Sequence, residues 1–204
     1  MTSRFCIVLL TLTFIHCGSV SHIYKKADYQ AWSATSLKRI AVGSWASEAD
    51  TPLDQVLLHV TTDLVKLRTH YLVYNAQVAP LGFAALCSKT EGDKKPEAVL
   101  LVRALRSSYE ADEDPKASKV NLELSLELYR CQDGALIWRA TADDEDKIDN
   151  HDLAQLTDIY TQSLGPLATR WSSMAFSLLQ RLVAALPNPS LNDEDILEKI
   201  ENES

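Results

Sequence analysis

The sequence predicts one α/β domain, a mixed-sheet α/β sandwich with a long antiparallel hairpin and helices towards its C-terminal end. Three observations carry that expectation. Val120, Leu122, Leu124, Leu126 and Leu128 alternate with Asn121, Glu123, Ser125 and Glu127, the period-two pattern of a half-buried strand. Asp133-Gly134 then supplies turn chemistry, and Leu136, Trp138, Ala140 and Ala142 continue an apolar face on the return, so residues 120–143 read as a hairpin. Upstream, strand-like and helix-like segments alternate, which calls for parallel pairing through crossover helices.

The elements follow in chain order. Leu37 to Val42 forms a short strand that breaks at Gly43. Thr51-Pro52-Leu53-Asp54 is a helix start, with a capping hydroxyl, proline at the first helical position and a carboxylate in the first turn. Leu53, Val56, Leu57, Val60, Leu64 and Leu67 then recur at three- and four-residue steps, on one expected face. Tyr71 to Tyr74 is the next strand, and Pro80 to Cys87 reads as a short helix. After the charged stretch 89–96, Glu97 to Leu105 starts apolar on both faces, as a central strand does, and continues to Tyr109. The acidic run Asp143 to Asp146 is expected as a solvated loop beyond the hairpin. Two helical segments divided at Gly165-Pro166 come next, and the second places Trp171, Ala175, Leu178, Leu179, Leu182 and Leu186 on a core face. Pro187 and Pro189 stop it. In the acidic tail, Leu191, Ile196, Leu197 and Ile200 are enough for one short amphipathic turn.

The amino-terminal end reads as an export signal. Arg4 provides a basic start, Phe5 to Ile15 carries no charge, and the run exits through Gly18 and Ser19. At about 1.5 Å per residue that run makes roughly 16 Å of helix, about half a bilayer core. Cys17 at its end resembles the acylated cysteine of bacterial lipoproteins, although His16 departs from the small residue usual before it. Ordinary cleavage after Ser21, at the small-x-small pattern Ser19-Val20-Ser21, is the other reading. The expected organisation is a signal over 1–16 (1–21 without acylation), a tether over 17–36, a single domain over 37–187 and an acidic tail over 188–204.

Composition narrows the function classes. The 204 residues carry a formal charge of −8, without a Lys/Arg cluster interleaved with aromatics, so nucleic acid is not an expected partner. The same charge disfavours direct adhesion to anionic headgroups, leaving a lipid or a protein to provide membrane contact. Cys6 leaves with the signal, and Cys17 is used if acylated. Cys87 and Cys131 then remain, as one bridge in an oxidising compartment or as two buried thiols.

Catalytic and metal signatures are not expected. Gly43-Ser44-Trp45-Ala46-Ser47 lacks the second glycine of a nucleophile elbow, and no phosphate loop occurs. His59, His70 and His151 do not approach metal-ligand spacing; His59 and Asp63 make an ordinary helix-surface pair. The acidic runs Asp112 to Asp114 and Asp143 to Asp146 lack the glycine that frames a Ca²⁺ loop. No cofactor is implied.

Arg39-Ile40-Ala41-Val42, Glu97-Ala98-Val99-Leu100 and the hairpin from Leu126-Glu127-Leu128-Tyr129 through Asp133-Gly134 to Ile137-Trp138-Arg139-Ala140 resemble exported lipoproteins related to TolB (amino-terminal domain), CsgG and LpoB. Ala175 to Leu179, Leu186 to Pro189 and Glu198 to Glu201 are similar to a narrower group of uncharacterised lipoproteins. The resemblance spans roughly 37–201 and implies a noncatalytic envelope accessory that binds an envelope protein partner. Gly18 and Ser19 lack the aspartate that commonly retains lipoproteins at the inner membrane. The expected location is therefore the periplasmic side of the outer membrane, lipid-anchored at Cys17. A soluble exported hydrolase or small-ligand binder is the alternative, and the oligomeric state stays open.

Overall fold

The computed structural model describes residues 20–26, 37–46, 51–78, 83–88, 95–113, 118–147, 162–165 and 169–203. They form strands β1 (His22–Lys25), β2 (Arg39–Ala46), β3 (Leu72–Val78), β4 (Ala98–Glu110), β5 (Lys119–Arg130) and β6 (Leu136–Lys147). The helices are α1 (Thr51–Arg68), α2 (Phe83–Ser88), α3 (Thr169–Ala185) and α4 (Asp193–Glu203). The sheet is six-stranded and mixed, in the order β1-β6-β5-β4-β2-β3. β2 runs parallel to both β3 and β4, while β4–β5, β5–β6 and β6–β1 are antiparallel.

One face of the sheet is a continuous apolar layer. Ile40, Val42, Leu100, Val102, Leu126, Leu128 and Trp138 are buried there beneath α1 and α3, which also pack on each other. Leu57 and Val60 of α1, and Leu178, Leu179 and Leu182 of α3, complete this core. The expected α3 face, Trp171 to Leu186, is buried as its spacing requires. In α1 the expected stripe ends early. Leu67 is 79% exposed while Val65 and Thr69 are buried, so at the end of the helix the buried face has moved round from the expected stripe.

The opposite face has a much smaller apolar cluster, in which Leu86 of α2 covers Ala41, Val99 and Leu101. The topology explains this division. The step from β2 to β3 moves outward and the step from β3 to β4 moves back across β2. Crossovers between parallel strands keep one hand, so reversing direction puts the second connecting helix on the other face. A helix of 6 residues covers little of it. Covalent bonding reinforces the cover: a disulfide joins Cys87 of α2 to Cys131 in the β5–β6 turn, with Cα atoms 5.5 Å apart. In that turn Gly134 takes a left-handed φ of 69°, and Asp133 accepts from Ala135 N at 3.1 Å. The Arg130 guanidinium is the main influence holding the Asp133 carboxyl far below the usual carboxylate range.

β2 runs through Gly43 to Ala46 instead of breaking at the glycine, and three further segments differ from expectation. His22–Lys25, placed within the tether, pairs with β6 as an edge strand, Ile23 opposite Ala140. Its residues are all exposed, so no burial pattern marks it; what it supplies is backbone pairing for an otherwise open edge. The acidic run 143–146, expected as a loop, continues β6, with Lys119 opposite Lys147 and Asp144 3.0 Å from Arg181 of α3. Cross-strand partners on β5 and a cation from α3 hold this unlikely strand sequence extended. Finally, the tail expected to be mostly solvated forms α4. The first of the two expected helical segments, ahead of Gly165, lies largely outside the described residues.

The disulfide closes a loop of 44 residues in sequence separation, worth about 4 kcal/mol in the chain-entropy model. Reducing it, or replacing both cysteines by serine, lowers stability by about that amount in urea titrations. An unchanged midpoint in the double variant would show that α2 holds its place without the bridge.

Candidate functional site

Helix α4 is inside out. Its inward residues are Asp195 and Glu198, both buried, and its outward residues include Ile196, Leu197 and Ile200, exposed at 45%, 62% and 59%. The helix starts by a reciprocal capping box. Asn192 Oδ1 accepts from Asp195 N at 2.8 Å, and Asp195 Oδ2 accepts from Asn192 N at 2.9 Å.

The inward carboxylates meet the start of β2. Arg39 grips Glu198 with two parallel bonds, Nε to Oε1 at 3.0 Å and Nη2 to Oε2 at 2.9 Å. This is the bidentate geometry in which a guanidinium binds a carboxylate most strongly. Lys38 Nζ lies 2.5 Å from Asp195 Oδ2. Glu97, at the mouth of β4, accepts from the backbone N of Lys38 and Arg39 at 2.7 and 3.0 Å and pairs with Arg39 Nη1 at 3.3 Å. The hydrogen bond from Lys38, ahead of the opposing effect of burial, holds the Asp195 carboxyl below its ordinary value. The Glu198 bond likewise raises the Arg39 guanidinium.

Further bonds fix the segment leading into α4. Tyr71 OH donates to Pro187 O at 3.0 Å, and His70 N donates to Asn188 Oδ1 at 2.9 Å. Lys199 Nζ donates to Lys66 O and Tyr71 O at 3.3 and 3.1 Å, placing a cation on the carbonyl end of α1. Between this segment and α4 opens a cleft of about 620 Å³, walled by His70, Pro189, Leu191, Ile196 and Ile200.

A second polar device occupies the thinly covered sheet face. Glu127 of β5 is buried, and its carboxylate accepts from Ser125 Oγ at 3.0 Å and Tyr129 OH at 2.6 Å. Arg139 Nε and Arg103 Nη1 flank it at 2.9 and 3.8 Å. Burial, then the bond to Glu127, raises the Tyr129 phenol above its ordinary value. Arg103 also lies over Trp45, 4.6 Å from its ring centroid.

The residues singled out from sequence are scattered. Cys17 and His151 lie outside the described residues. Cys87 and Cys131 are brought together by the bridge. His59 is exposed on α1, and His70 engages the 188–189 segment with its backbone and Nδ1. Asp112 and Glu113 are exposed, and Asp112 N is bonded to Ser118 Oγ at 3.0 Å. Among the described residues no group of three or more His, Cys, Asp or Glu is placed to hold a metal ion. Sequence reasoning missed the α4 surface. Its legible signal was Asn192-x-x-Asp195 ahead of aliphatics one and four apart; the inward role of the acids had no local sign.

No protein-family model and no curated protein matches the sequence. Among solved structures, the PelC dodecamer of Paraburkholderia phytofirmans superposes with a TM-score of 0.54 at 14% identity, covering 85% of this chain and 99% of that one. The two share a fold. Lipoprotein GNA1162 of Neisseria meningitidis is a looser likeness, with a TM-score of 0.42 at 14% identity over 61% of this chain and 96% of the other.

The clamp makes α4 acid-sensitive. A carboxyl whose folded value is depressed contributes stability above its unfolded value and loses it as pH falls through the folded one. Protection of the α4 amides, relative to intrinsic exchange at each pH, therefore falls below the ordinary carboxylate range, and Asp195→Asn removes much of that dependence. Arg39→Ala removes the bidentate partner of the buried Glu198 while Asp195 keeps Lys38, and losing one member of a buried pair costs about 3–5 kcal/mol. It should free α4 at neutral pH, read as exchange confined to 193–203; protection equal to wild type would refute the clamp.

Proposed function

We propose that this protein is a noncatalytic envelope accessory, anchored by a lipid on Cys17 to the periplasmic side of the outer membrane, which acts by docking another envelope component on α4. The observation that carries the reading is the inverted polarity of that helix. A terminal helix normally turns its aliphatics inward. Here Lys38, just ahead of β2, and Arg39, its first residue, hold acids inward, and Ile196, Leu197 and Ile200 face solvent. A rigidly held apolar face of this kind marks an interaction surface.

Two further observations support it. The start of the chain has the form of an export signal ending at a cysteine. The resemblance to TolB, CsgG and LpoB relatives, and the fold shared with a protein that assembles as a dodecamer, belong with accessory and assembly roles rather than turnover. Among the described residues no helix is long and apolar enough to cross a membrane. The mechanism is local concentration: tethering confines the domain to one leaflet, where docking becomes an encounter at raised effective concentration.

Cys17→Ala tests the anchor. The wild-type protein should sediment with membranes and carry a diacylated amino terminus by mass spectrometry, and the variant should move to the soluble fraction. A wild-type chain starting unmodified at His22 would overturn the anchor. A photocrosslinker at Leu197 should capture an envelope component in cells while one at His59 does not; equal capture would overturn α4 as the docking face.

A further inference from the structure

The chain is fastened to the sheet almost as soon as it leaves Cys17. Val20 packs on the core, and Ser21 is bonded to Thr141 of β6, its N and Oγ each 2.9 Å from the carbonyl oxygen. β1 follows at once, and Lys26 N closes on Ile137 O at 2.9 Å. Cys17 therefore lies four residues from a fixed point, a reach of at most about 14 Å. The linker expected over 17–36 is a short leash at its start.

That reach restricts how the domain can stand on a leaflet holding a lipid at Cys17. β6 runs on from Thr141 to Lys147, roughly 20 Å, so standing on that tip would lift Ser21 beyond the leash. In the other direction Leu136 is about 17 Å from Thr141, with the β5–β6 turn beyond it. One sheet face lies beneath α1 and α3. The other mixes Glu123, Asp143 and Glu145 with Arg103, Arg106 and Arg139, and lying on it would desolvate all of these charges. The β1 edge remains.

Its side chains suit a headgroup layer. Ile23 and Tyr24 are 52% and 48% exposed, Lys25 is exposed, and Lys26 follows. Tyrosine settles at headgroup level, and lysine lays its stem on apolar surface while its ammonium reaches phosphate. Most nearby carboxylates are engaged: Asp133 with Arg130, buried Glu127 with Arg139, and Asp144 with Arg181. Asp143 and Glu145 are exposed, but they belong to β6, one strand spacing of about 5 Å behind β1. We infer that β1 is a membrane-contact strand: with Cys17 acylated, Ile23, Tyr24 and Lys25 rest on phospholipid headgroups and the sheet stands edge-on. α4 packs against β3, at the opposite edge of the sheet and about 24 Å from β1, so this stance turns Leu197 and its neighbours away from the leaflet. The inference rests on the lipid anchor proposed above, not on α4 as the docking face.

The test uses the mature, acylated chain in vesicles of phosphatidylethanolamine and phosphatidylglycerol that carry a nitroxide-labelled phospholipid. A dansyl-bearing amino acid is placed in turn at Ile23, Leu105 and Leu197, all exposed. At Ile23 it should lose most of its emission to the nitroxide, while at Leu105 and Leu197 it keeps its emission. Tyr24→Ser with Lys25→Glu should restore much of the emission at Ile23 while the Ser21 amide stays protected from exchange. If that protection is lost, Lys25→Glu alone replaces the double variant. Quenching at Leu105 equal to that at Ile23 would mean a flat stance, and strong quenching at Leu197 a reversed one; either overturns the inference. So does a photocrosslinker at Tyr24 that captures protein instead of lipid in cells. Chains that float with the vesicles yet show no quenching at Ile23 sink this inference alone. Chains that carry no acyl group and do not float sink the anchor itself, and the stance with it.

Discussion

Trp138, Leu126, Leu128 and Leu100 form an apolar floor across β4, β5 and β6, and α1 and α3 bury it completely. Each large side chain withdrawn from water there is worth about 1.5–3 kcal/mol, before the entropy of ordering the chain is set against it. Both substantial helices are committed to that face. Among the described residues, the other face carries a helix of 6 residues. The disulfide pins that helix to the β5–β6 turn. On that face Glu127 is buried, accepts from Ser125 and Tyr129, and is flanked by Arg103 and Arg139.

This use of charge gives both polar devices their character. Buried ion pairs often contribute little net stability, because desolvation offsets attraction. What Arg39, Asp195 and Glu198 provide is orientation: the bidentate grip and the capping box set the direction and roll of α4, and the roll decides that its aliphatics face outward. Glu127 likewise lies beside Arg103, whose guanidinium stands over the exposed Trp45, and beside Arg139. In each case a hidden carboxylate arranges what the surface displays.

The ease of reading each element from sequence followed the range of the interactions that form it. The β5–β6 hairpin was legible because its alternation and its Asp133-Gly134 turn are local, and α3 because its stripe meets one continuous layer. Leu67 was misplaced because helical spacing alone does not say which side of the last turn the rest of the fold covers, and there it is Val65 and Thr69 that are buried. β1 carries no pattern, since pairing through backbone groups asks nothing of its side chains. Asp143 to Asp146 repel one another locally and stay extended only through partners on β5 and α3. The α4 site was half visible: a capping box and spaced aliphatics can be seen, but not that Lys38 and Arg39, more than 150 residues earlier, would claim the acids.

The amino-acid order by itself determined an α/β chain with a central hairpin, a helix-covered core and an export-type start. Each of those follows from periodicity, turn chemistry or composition over neighbouring residues. Tertiary structure alone decided which sheet face is thinly covered, that Cys87 reaches Cys131, and which way α4 turns. Those outcomes depend on strand order and on ion pairs between distant segments. No local pattern encodes them, because the energy that selects them exists only once the sheet has formed.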